Sequence, residues 1–133
     1  MNDGQLHFLG IIYSKIVGIQ YYEAEVDEDE TIHFERNPKN EFDFNAIEVH
    51  NSQFEAVGHV PKNYSVFLAP LIDQRKVFLK GKVEDEGNDW DVPIEIQVHL
   101  TKKGIVILDQ GDEDNVRQIK HNMVAAFYNK AEQ

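Results

Sequence analysis

Six histidines, His7, His33, His50, His59, His99 and His121, are the first candidates for chemistry. None forms the closely spaced ligand pair of a metalloprotease helix, so no metal site is expected and exposed strand or loop positions account for them. Two acidic runs, residues 27–30 and 112–114, offer carboxylate oxygens. A calcium loop alternates its oxygen ligands around a central glycine and closes on a distal glutamate. Neither run does so, and they read as a solvated turn and a helix cap. Gly18 and Gly58 each stand alone, which leaves no glycine-rich phosphate loop, and no serine sits in a nucleophile elbow. Carboxylate pairs are plentiful because the chain is acidic, so a hydrolase has only composition behind it. The expectation is a protein without catalysis and without a cofactor. Basic residues are more informative. Lys62, Arg75, Lys76, Lys80 and Lys82 share a stretch with one acid, Asp73. That cluster fits either local phosphate contact or a solvated helix end and strand face.

The elements that must position these groups follow from periodicity. Residues 7–13 and 15–22 are rich in β-branched and aromatic side chains and read as strands. The charges at 27–30 repel one another and interrupt the pattern. Residues 31–36 resume it, with Ile32 and Phe34 on one face. The segment 37–40, Asn-Pro-Lys-Asn, has loop chemistry. Residues 46–50 read as a short strand, 51–53 as a hairpin turn, and 54–60 as its return. Pro61 suits the first position of a helix. Tyr64, Phe67, Leu68, Leu71 and Ile72 continue at helical spacing, and Pro70 should shorten or kink that helix. Strands return at 76–83 and at 92–100, where Ile94, Ile96, Val98 and Leu100 alternate with Glu95, Gln97 and His99. A further strand at 104–108 and a helix from about 112 to 128 complete the reading. The sum is a mainly β domain, a small barrel or a sandwich, with a short central helix and a C-terminal helix.

Length and charge bound the function. The chain has 133 residues, enough for one domain. Its 13 Lys+Arg against 24 Asp+Glu give a net charge of -11. Such a chain does not coat nucleic acid by charge alone, and an anionic membrane would repel it. Cysteine is absent, which excludes disulfides, thiolate metal sites and cysteine catalysis. No apolar run approaches the ~20 residues that span a bilayer, and Met1-Asn2-Asp3-Gly4 lacks the basic start of a signal peptide. An intracellular protein is expected, nuclear in a eukaryote and cytoplasmic in a bacterium.

Three blocks of sequence then stand out together. The first is Ile16-Val17-Gly18-Ile19-Gln20-Tyr21-Tyr22. The second runs from Phe34 through Arg36, Pro38, Asn40, Phe42, Asp43, Asn45 and Ala46 to Val49. The third is Val57-Gly58-His59-Val60-Pro61-Lys62. In order and spacing they resemble the HIRAN family, clearly from residue 15 to 83 and by strand pattern to residue 100. The resemblance implies an OB-like β-barrel over residues 5–103; by their own pattern, 104–133 read as an extension, one strand then a helix, packed on it. It also implies a non-catalytic module that captures 3′ ends of single-stranded DNA in repair or replication-fork processing, beside a DNA-processing enzyme.

The family's roles transfer residue by residue. Tyr21 and Phe42 fall where two aromatic rings sandwich terminal bases, and stacking of this kind is worth ~1–3 kcal/mol per base. Asp43 falls where a carboxylate accepts a hydrogen bond from the terminal 3′ hydroxyl. His59 and Lys62 match positions near the phosphates, and Asn45 one that holds the loop through local backbone bonds. Gln20 stands where the eukaryotic end-binding members carry arginine, so it can donate a hydrogen bond to phosphate but brings no charge. The competing reading is a protein-interaction module that has kept the fold. Its support is the acidity of the chain and Gln20; separately, the plain alternative for Tyr21 and Phe42 is ordinary core aromatics.

Overall fold

The structure, a computed structural model, describes residues 7–101. Six strands form one antiparallel sheet: β1 (His7–Ile16), β2 (Thr31–Arg36), β3 (Ile47–His50), β4 (Ala56–His59), β5 (Val77–Val83) and β6 (Val92–Leu100). A single described α-helix, α1 (Lys62–Asp73), joins β4 to β5. The strand order is β1-β6-β5-β2-β3-β4. Its two edges, β1 and β4, are joined by an antiparallel bridge between Val17 and His59. That bridge closes the sheet, and the choice between barrel and sandwich goes to the OB-like barrel.

Alternation explains the core. Along β6, Val92, Ile94, Ile96, Val98 and Leu100 are buried, while the residues between them face outward. The strand pairs on both sides, with β1 and β5, so its inward row meets side chains from two neighbours. Ile12 and Ile16 of β1, Ile32 of β2, Ile47 and Val49 of β3 and Val57 of β4 complete the interior. Each fully buried Ile or Leu contributes about 1.5–3 kcal/mol. Leu68 and Ala69 bring α1 onto this core. Pro61 caps the helix one position before the expected one. Pro70 does not break it, and α1 runs on for three residues to Asp73. The bond Pro70 forfeits is to the carbonyl of Val66, an exposed residue that water can serve.

One strand departs from expectation. Residues 7–13 and the start of 15–22 are a single ten-residue strand, β1. The remainder of that second segment is not strand at all. Gly18 adopts a left-handed conformation with φ 74°, and Ile19–Tyr21 form one 3-10 turn. A left-handed residue cannot continue a ladder, so pairing stops there. The proposed strand at 104–108 and the helix near 112–128 lie outside the described residues. Among the described residues no helix is long and apolar enough to cross a membrane.

Candidate nucleic-acid interface

Barrel closure builds one wall of the site. Val17 and His59 exchange both backbone hydrogen bonds, each 2.9 Å long. Gly58 lies at this seam, where a Cβ would stand 2.4 Å from Ile16 Cγ2 and 2.6 Å from the Val17 carbonyl oxygen. Only a residue without a side chain lets the two edges meet. The Gly18 turn then redirects the chain, and the N–H of Tyr21 returns to the Gly18 carbonyl at 3.1 Å. Tyr21 is thrown outward and is 82% exposed.

The opposite wall is the loop between β2 and β3. The Asn40 side-chain oxygen accepts the backbone N–H of Phe42 at 2.9 Å and that of Asp43 at 3.1 Å. Asp43 Oδ1 accepts the N–H of Asn45 at 2.9 Å. These are Asx turns, in which a short side chain replaces a backbone partner. Asn45 thus shapes the loop through its own N–H, with Asn40 and Asp43 supplying the acceptors. Arg36 fastens the loop to the barrel. Its guanidinium donates to the carbonyls of Ala46 and Phe44 and grips Asp73 with two bonds of 2.8 and 3.1 Å. That pairing also offsets the unfavourable position of Asp73, a carboxylate at the negative end of α1. Held in this way, Phe42 projects from the surface, 88% exposed.

Between the walls lies a groove of about 550 Å³. Tyr21, Phe42, Asp43, His59 and Lys62 all line it, together with Val17, Gly18, Asn40, Ala46 and Val60. The two rings are therefore not core aromatics. Buried Ala46 and Val60 give the groove an apolar base, and Lys62 enters from the first turn of α1. A second hollow continues from it along that turn, sharing Phe42, Asp43 and Lys62 and adding Asn63 and Val66. His59 is braced from behind. Tyr22 Oη lies 3.3 Å from its Nδ1 and 3.2 Å from its Nε2, with the rings 5.6 Å apart. Burial, helped by the charge of Glu48, raises the Tyr22 phenol above its ordinary value, so it stays neutral beside the imidazole.

Gln20 is not part of this gathering. It lines a separate groove of about 380 Å³ on the other side of the 3-10 turn, with Tyr22, Glu23, Glu25, Glu86 and Asp89. Nor do the five cations of residues 62–82 form one patch. Lys62 opens α1 and Arg75 follows its end, ~18 Å away by helix rise. Lys82 pairs with Asp29 at 3.4 Å. Only Lys62 of the five lines the groove. Arg36 and Asn40 were overlooked as working residues, although both stood inside the second sequence block. The Asn40-x-Phe42 spacing is itself an Asx-turn signal.

The arrangement has definite capabilities. Two exposed rings can stack on flat heterocycles. A carboxylate with one oxygen engaged by the backbone can accept a hydrogen bond through the other. An ammonium beside an apolar base can pair with one anionic group.

Comparison with known proteins agrees with this architecture. The family model of the HIRAN domain matches residues 9–103. A SWI/SNF-related matrix-associated actin-dependent regulator of chromatin subfamily A member 3-like 1 protein of Arabidopsis thaliana is 28% identical over 121 residues, 80% of this chain and 14% of that protein. The human helicase-like transcription factor is 32% identical over 80 residues, 60% of this chain and 8% of that protein. The chain thus corresponds to a small part of these relatives. Among solved structures, the crystal structure of the HIRAN domain of human HLTF superposes with a TM-score of 0.72 at 26% identity, over 84% of this chain and 94% of that one. The NMR structure of the HLTF HIRAN domain in its DNA-bound conformation gives 0.66 at 25% identity, over 84% and 93%. Barrel, seam and motif blocks agree with the family match, and the chain belongs to the HIRAN domain family.

Proposed function

We propose that this chain is a non-catalytic DNA-binding module that captures the 3′ end of single-stranded DNA. Tyr21 and Phe42 stack on the terminal bases. Asp43 accepts a hydrogen bond from the terminal hydroxyl. Lys62 and His59 hold the adjacent phosphate, assisted by the positive end of α1, whose cap carries no side-chain hydrogen bond. The observation that carries the reading is the convergence of two highly exposed rings, a carboxylate and an ammonium on one groove. The DNA-bound HLTF domain supports the ligand class.

The carboxylate gives the end its selectivity. An ionised Asp43 accepts a hydrogen bond from a free hydroxyl and repels a phosphate in the same place. Stacking is tolerant of base identity, so little sequence preference is expected. The electrostatic contribution is small because one lysine lines the groove and the chain carries -11. The setting that fits is repair or replication-fork processing inside the cell, beside a DNA-processing enzyme. A fluorescence titration tests the reading with three oligonucleotides that differ only at the 3′ terminus: hydroxyl, phosphate and a blocked end. Tighter binding of the hydroxyl form is expected. Equal affinity for all three removes the role given to Asp43, and no binding to any of them leaves the protein-interaction reading in its place.

A further inference from the structure

On the outer face of β2 and β3, at residues that do not line the DNA groove although Glu48 is opposite His59 in register, three donor side chains converge. Glu35 and Glu48 are directly opposite in the antiparallel register, and His50 is two residues along β3 on the same face. His50 Nδ1 lies 3.4 Å from Glu35 Oε2, and its Nε2 lies 3.2 Å from Glu48 Oε1. One donor atom from each of the three residues falls within 4.8 Å of the others. Asn37 donates to the remaining oxygen of Glu48 at 3.2 Å, which fixes that carboxylate with Oε1 turned to the imidazole. The site is sheltered on one side, since the His50 side chain is 12% exposed and that of Glu48 24%.

The geometry points to a site for one divalent transition-metal ion, zinc by preference, held by Glu35, Glu48 and His50. Two like charges directly opposite on a sheet are destabilising. A cation of charge two cancels both, where a protonated His50 cancels one. Zinc takes nitrogen and oxygen donors at about 2.0–2.2 Å, so tetrahedral donors stand ~3.4 Å apart. The two short contacts involve opposite nitrogens of the ring, and one ion takes only one of them; a donor atom from each residue nonetheless falls within 4.8 Å of the others, and the Glu35 side chain, 67% exposed, supplies the movement that closes the set around a single nitrogen. Asn37 plays the part of the outer hydrogen bond that orients a ligating carboxylate. Three protein donors leave a fourth position for water. An imidazole donor also selects the class of ion, because magnesium prefers oxygen-only octahedra. His33, opposite His50 in register, is stacked on Phe54 with centroids 4.2 Å apart and serves as a neighbour and not a ligand.

This inference stands apart from the DNA reading, and its experiment uses no nucleic acid. The full chain, stripped with a chelator, is titrated with zinc and with magnesium by calorimetry, and thermal unfolding is followed with each ion. Stoichiometric zinc binding is expected, with a rise in Tm that magnesium does not reproduce. Glu35→Gln, a surface change that leaves the fold intact, should weaken zinc by about tenfold or more, and His50→Gln should abolish the stoichiometric step. The proposal is overturned if wild type and Glu35→Gln bind zinc equally, if His50→Gln retains full affinity, or if wild type shows no stoichiometric uptake.

Discussion

Two grooves flank the same 3-10 turn, and they differ in kind. One, reached by Tyr21, has an apolar base, two projecting rings and a lysine. The other, reached by Gln20 and Tyr22, is lined by Glu23, Glu25, Glu86 and Asp89. The four carboxylates of the second repel a polyanion, whereas the first balances Lys62 against Asp43 and offers stacking surface. The acidity of the chain therefore does not by itself argue against a nucleic-acid ligand; much of it weighs against binding on one side of the turn. Local field, not net charge, decides where a strand can lie.

The sharpest way to break this contrast is at the seam that forms one wall of the first groove. Gly58→Ala places a methyl group against Ile16 and the Val17 carbonyl. It should destabilise the domain by about 1–3 kcal/mol in a denaturant melt and remove DNA binding with it. Next comes the ring wall alone. Tyr21→Ala and Phe42→Ala should each weaken single-stranded DNA by about 1–3 kcal/mol in a fluorescence titration, while the melt stays within about 0.5 kcal/mol of wild type because both rings are exposed. Arg36→Ala should couple the two readouts. It unpins the loop that carries Phe42 and Asp43, at a cost of about 1.5–3 kcal/mol in stability and with weaker DNA binding.

On the acid-lined side the effects shrink. Gln20→Ala should change DNA affinity by less than about 0.5 kcal/mol, and a loss matching that of Tyr21→Ala would erase the distinction between the grooves. The smallest effect is a pH dependence at Glu30, which lines neither groove. The backbone N–H and hydroxyl of Ser52, then the N–H of Asp27, hold the Glu30 carboxyl below its ordinary 4.5. A depressed carboxyl stabilises the fold above its unfolded value and loses that contribution as pH falls through the folded one. Wild type should therefore exceed Glu30→Gln in Tm at neutral pH, and the gap should close progressively in acid below 4.5.

Much of the barrel was legible because burial on one face writes itself as alternation. Residues 92–100 show this best, and β2, β3, β5 and α1 followed from the same rule. The segment 15–22 misled because Val17, Ile19, Tyr21 and Tyr22 have strand propensity, while a single left-handed glycine ends the strand among them. The motif blocks located Tyr21, Phe42, Asp43, His59 and Lys62, but no periodicity announces that a tyrosine or phenylalanine points into solvent. The Arg36–Asp73 clamp and the Glu35–Glu48–His50 cluster were beyond reach for another reason. Each joins residues from separate elements, and only the pairing register and the placing of α1 bring them together. Helical spacing marks the ligand pair of a metalloprotease, whereas Glu48 and His50 share a face at the two-residue period of a strand.

Closure through Val17 and His59 has a thermodynamic corollary. Val17 and His59 line the groove and are also the last stitch in the hydrogen-bonded cylinder, so a guest held there would bridge both sides of the closure. A guest seated across that stitch acts as a rivet. Loading the cleft should slow amide exchange at Val17 and His59 ahead of the β5–β6 ladder on the far side, and the melting point should climb with the logarithm of guest concentration.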